Sequence, residues 1–88
     1  MGITTEFKSF LEAATVQELT AKKKEFLEIL YLQLKNENYC FAQSSAFCLR
    51  LTNAVLWLKE AECKFRIDYD GKVYHIDNDN KVERLHSA

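Results

Sequence analysis

Past Cys63 the apolar side chains stop recurring every three or four residues and begin to alternate. Phe65, Ile67 and Tyr69 alternate with Lys64, Arg66 and Asp68, the two-residue period of a strand with one covered face. Asp70-Gly71 follows, and then the β-rich run Val73, Tyr74, His75, Ile76. An Asp-Gly pair between two such runs is a hairpin signal, because both residues tolerate the positive φ of a tight turn. Taken as a two-residue loop, the pair predicts strands over 64–69 and 72–77, with Ile67 opposite Tyr74 and Phe65 opposite Ile76. In that register Phe65, Ile67, Tyr69, Tyr74 and Ile76 share one face, while Lys64 pairs with Asp77 and Arg66 with His75 on the solvated side. Everything before Cys63 carries the helical period. The expected class is therefore α+β, in one small domain over 1–88: three helices and then a β-hairpin packed on them.

The chain has no proline and two glycines, Gly2 and Gly71, so helix boundaries must come from caps and from the phase of the apolar pattern. Phe7, Phe10, Leu11 and Ala14 fall on one face of a helix over 5–14, with Thr4 or Thr5 as its cap. Thr15 and Glu18 have the spacing of a capping box and open a second helix over 16–35. Its stripe is Leu19, Phe26, Leu27, Leu30, Tyr31 and Leu34. At about 100° per residue, that stripe continued backwards would put Phe7 and Phe10 on the wrong side, so the chain must break near Thr15. Asn36 to Tyr39 suits a turn. A third helix over 45–62, capped by Ser44 or Ser45, presents Phe47, Leu51, Ala54, Val55, Leu58 and Ala61. The short connection makes the second and third helices antiparallel. In the tail, Asp77 to Asn80 reads as a turn. Lys81 to His86 fits a third short strand or a helical turn, and Val82 with Leu85 favours the turn.

Composition excludes more functions than it names. Eighty-eight residues, 48% of them apolar and 12% aromatic, suffice for one core without metal or disulfide staples. Twelve basic against thirteen acidic residues leave a net charge of -1, far from the excess of a general polyanion binder. The start shows neither a basic stretch before an apolar run nor a myristoylation pattern, and no apolar run approaches the ~20 residues of a membrane span. A soluble, cytoplasmic protein is expected. Cys40, Cys48 and Cys63 match no zinc spacing and read as reduced thiols, with Cys48 a small core hydrophobe.

No motif carries chemistry by itself. The aspartates around Asp68/Asp70 and Asp77/Asp79 fail the EF-hand pattern, with Lys72 and Lys81 where third ligands belong. His75 and His86 lack a nucleophile or acid placed to work with them. Lys22-Lys23-Lys24 is flanked by Glu18, Glu25 and Glu28 at helical spacing and reads as a solvated face. No catalytic residue, metal or cofactor is expected, and the chain reads as a non-enzyme.

The informative surplus lies on the third helix. Leu49 and Leu56 fall nearly opposite its main stripe, with Trp57 beside them and Arg50 and Asn53 between. Ile29 and Leu32 lie similarly off the stripe of the second helix. Most of this excess would be absorbed if the hairpin and first helix covered a second side. The rest has the make-up of an interface centre. The expected function is a protein-binding module, such as a small adaptor, regulator or inhibitor, acting on another protein or pairing with itself as a homodimer. Its surface would be Leu49, Arg50, Asn53, Leu56 and Trp57, with Ile29 and Leu32 as a secondary interface. The alternative is a winged-helix-like nucleic-acid-binding regulator, disfavoured by a single arginine on the exposed helix face and an acidic wing tip.

Overall fold

The structure, a computed structural model, describes residues 2–76 and the backbone of Glu83–Leu85. The described residues form α1 (Thr5–Ala13), α2 (Val16–Lys35), α3 (Tyr39–Glu60), β1 (Lys64–Ile67), β2 (Val73–Ile76) and β3 (Glu83–Leu85). The strands make an antiparallel sheet in the order β1-β2-β3. This is the expected α+β arrangement, with β1 and β2 packed on α3.

The caps hold as the sequence implies. Thr4 Oγ1 accepts from the Phe7 N–H at 3.1 Å and starts α1. Thr15 Oγ1 accepts from the Glu18 N–H at 3.1 Å, and Glu18 Oε1 accepts from the Thr15 N–H at 3.0 Å. This reciprocal pair begins α2 and fixes the break after α1. Lys59 ties the break to α3: its ammonium donates to the Ala14 carbonyl and, at 2.9 Å, to the Glu12 carbonyl, where α1 runs out of internal partners. α2 and α3 both end in a Schellman motif. Glu37 and Asn38 N–H groups donate to the Leu34 and Gln33 carbonyls, and those of Glu62 and Cys63 donate to Lys59 and Leu58. Glu37 and Glu62 take the left-handed position, at φ 57° and 56°.

That first turn moves the start of α3. The helix begins at Tyr39 rather than near Ser45, because the turn closes within three residues and nothing from Tyr39 to Ser44 opposes a helix. Ser45 is not a cap. It is buried, and its hydroxyl donates to Gln33 Oε1 at 2.6 Å across the α2–α3 seam.

The hairpin register also differs from the expected one by a residue. The Asp68 N–H donates to the Lys72 carbonyl at 2.9 Å, and the Gly71 N–H donates to the Asp68 carbonyl at 3.1 Å. The loop is therefore Tyr69-Asp70-Gly71, three residues with glycine in the left-handed region at φ 85°. Ile67 now faces Val73, and Phe65 faces His75. The sheet face towards α3 carries Phe65, Ile67, Val73 and His75, of which Ile67 and Val73 are fully covered. Tyr74 and Ile76 turn to the other face, where the Arg66 guanidinium sits 4.4 Å from the Tyr74 ring and pairs with Asp68. The tail forms β3 at Glu83–Leu85 and not a helical turn, since β2 offers it an edge to pair with. The expected turn at Asp77–Asn80, and Val82 and His86, lie outside the described residues.

The core sits where α1, the first half of α2, the second half of α3 and the sheet meet. Leu11, Leu19, Val55, Leu58 and Ile67 are at its centre. Phe7 meets Phe26 edge-on at 5.9 Å and carries α1 as far along α2 as that ring. The hairpin loop reaches α3 at Phe47, beneath Gly71.

Candidate protein-contact face

Beyond Phe26 on α2 and before Phe47 on α3 the two helices continue as an antiparallel arm, and the molecule measures 47 × 25 × 22 Å. Between the arm's helices lie the buried Ala42 and Ser45, with Gln33 and Leu30 half-buried beside them. The larger side chains point outwards. Leu27 is 47% exposed, Leu34 49%, Tyr31 67% and Tyr39 59%. Half of the stripe that the sequence assigns to the core on α2 is thus uncovered. Leu19 alone on this helix is fully buried.

Six of the exposed apolar residues form a face, while Phe41, 61% exposed, stands on the far side of α3. At about 100° per residue, Val16, Leu27, Tyr31 and Leu34 fall within about 60° of one another on α2. Lys22 and Phe26, which meet the Phe10 and Phe7 rings of α1, lie roughly 120° away. On α3, Tyr39, Ala46, Arg50, Asn53 and Trp57 also fall within about 60°, turned roughly 150° from Lys59, which holds the end of α1. Both stripes turn away from α1, so they lie side by side on one broad surface of the helix pair. Trp57 is 60% exposed at one end of this surface and Tyr39 marks the other. On α2, Leu27, Glu28, Tyr31 and Leu32 line an open depression of about 440 Å³.

The sequence-derived surface is partly redrawn. Arg50, Asn53 and Trp57 are exposed, and Leu49 is half-buried at their edge. Leu56 is not on the surface: at 5% exposure it belongs to the core cluster, because α2 packs over the side of α3 where it stands. Ile29 and Leu32 are exposed: Ile29 lies on the opposite side of α2 from Leu27, and Leu32 borders the depression that Leu27 and Tyr31 line. Leu27, Tyr31, Leu34 and Tyr39 were missed as surface residues. The available signal was length: α2 is far longer than α1 or the hairpin and cannot be covered by either along its whole course.

Among the described residues the titratable groups do not converge on a reaction centre. Cys48 is half-buried, and that burial pushes its thiol pKa up, away from the reactive thiolate. Partial burial lowers the Lys59 pKa, against the pull of the Glu18 and Glu12 carboxylates. No group of three His, Cys, Asp or Glu side chains among the described residues is arranged to hold a metal. No described helix is long and apolar enough to cross a membrane. Comparison with protein-family models, curated proteins and solved structures gave no match.

Proposed function

We propose that this chain is a non-enzymatic protein-binding module, an adaptor, regulator or inhibitor that acts by contact through the α2–α3 face. The observation that carries this reading is the clustering of exposed apolar and aromatic side chains on one side of a helix pair. Single exposed apolar residues are ordinary, but a contiguous patch of this kind on a small domain marks a contact surface. Tyr31, Tyr39 and Trp57 are the residue types that dominate contact energies, and Arg50 and Asn53 supply the polar orientation among them. Ile29 and Leu32 provide a second, smaller contact, Leu32 at the edge of this face and Ile29 beyond it. Either another protein or a second copy of the chain can occupy such a face.

The test is capture from cells that express the chain, using tagged wild type beside Leu27→Glu and Trp57→Ala. Both substitutions fall on exposed side chains, so circular dichroism should be unchanged. This reading expects a discrete bound protein, the chain itself included, that is lost with either variant. Equal recovery with all three baits, or no bound protein at all, contradicts it.

A further inference from the structure

We infer that the occupant of the α2–α3 face is a second copy of this chain, the two helix pairs closing face to face into a four-helix bundle. The inference rests on the protein-binding reading and adds the partner's identity.

Area is the first argument. Tyr31, Tyr39 and Trp57 are each about three-fifths exposed, which at roughly 200 Å² per aromatic side chain leaves roughly 360 Å² to cover. Val16, Leu27 and Leu34 raise the apolar area to about 500 Å². With the usual polar share of a rim, that is roughly 800 Å² per copy, the size of a standard stable interface.

The arm's own construction is the second. Its seam holds Ala42, Ser45 and a Gln33–Ser45 hydrogen bond, with Leu30 only half-buried. A helix pair with so little between it gains little from its own packing. It needs cover whenever the chain is folded. A second copy is the partner present wherever the first one is, and a two-fold axis makes one face its own complement.

Charge is the third. Lys23 and Arg50 stand among the apolar residues, Glu60 lies at the border, and the chain as a whole carries -1. No field of one sign selects an oppositely charged partner or drives two copies apart. Helices crossing at about 20° would complete the bundle around Leu27, Leu34 and the aromatic rings.

Sedimentation equilibrium from about 1 to 100 μM, read with the emission of the chain's one tryptophan, tests this inference. The wild type should rise from the single-chain mass towards twice that mass as the concentration rises, with Trp57 emission moving to shorter wavelength in step. Leu27→Glu and Tyr31→Glu should each sediment at the single-chain mass at every concentration, with wild-type helix content. Ile29→Glu, on the opposite side of α2 and outside the depression that Leu27 and Tyr31 line, should still pair. A wild type that stays at the single-chain mass throughout overturns the inference, as does a dimer broken by Ile29→Glu but not by Leu27→Glu. The first outcome leaves the broader reading standing if the capture experiment recovers a different protein that Leu27→Glu loses. If nothing is recovered, both fall.

Discussion

Gly71 shows how one residue fixes both the backbone and its packing. Its φ of 85° lies where a side chain is strained, and a β-carbon there would collide with the Phe47 ring of α3. The glycine therefore shapes the loop and lets the sheet approach the helix. Gly71→Ala should cost about 2 kcal/mol or more, from the left-handed backbone and the displaced ring together. The urea midpoint measures it, and an unchanged midpoint would mean that the loop does not rest on Phe47. Asp70-Gly71 was legible as a turn. Its length was not, since the same dipeptide serves two-residue and three-residue loops. Val73, Tyr74 and Ile76 can all present an apolar face, so the sequence holds no clean alternation to choose between registers. The deciding contacts lie between Gly71, Phe47 and the covered Ile67–Val73 pair, far apart in the chain.

Among the elements, the start of α2 is the best specified. Both halves of its capping box are local, and for that reason readable. The backbone hydrogen bond from Thr15, then the one from its side chain, holds the Glu18 carboxyl below its ordinary pKa of 4.5. A carboxylate lowered in the folded state stabilises above the unfolded value, and that contribution is lost as pH falls through the folded value. Wild-type stability should therefore fall below about pH 4.5 more steeply than that of Glu18→Gln, which keeps an acceptor but cannot titrate. Parallel curves from urea titrations at several pH values would contradict this. Thr15→Ala should cost about 1 kcal/mol at neutral pH. The start of α3 was harder to read, because its boundary depends on the left-handed Glu37. Glutamate gives no local hint of that conformation, whereas glycine there would have announced the turn.

At the scale of the molecule, periodicity shows which residues of α2 are apolar but not which of them its neighbours can reach. Leu19 and Leu27 look alike in the pattern. One is fully buried beneath α1 and α3, and the other is half open beyond the last ring of α1. Likewise Leu56 looked surplus from α3 alone and is core once α2 lies over it, while Trp57, its neighbour in sequence, stays outside. The surplus of apolar surface was thus legible as a quantity. Its place was set by the unequal lengths of the packed elements.

Hydroxyl-radical footprinting of the chain inside the cells that express it, compared with the purified chain at nanomolar concentration, tests most directly whether the α2–α3 face is covered. Tyr69, at the hairpin loop, is 57% exposed and serves as the internal reference. The account predicts that Tyr31, Tyr39 and Trp57 are labelled in the dilute chain and protected in the cell, with Tyr69 labelled in both. Equal labelling of all four residues in both samples would contradict it.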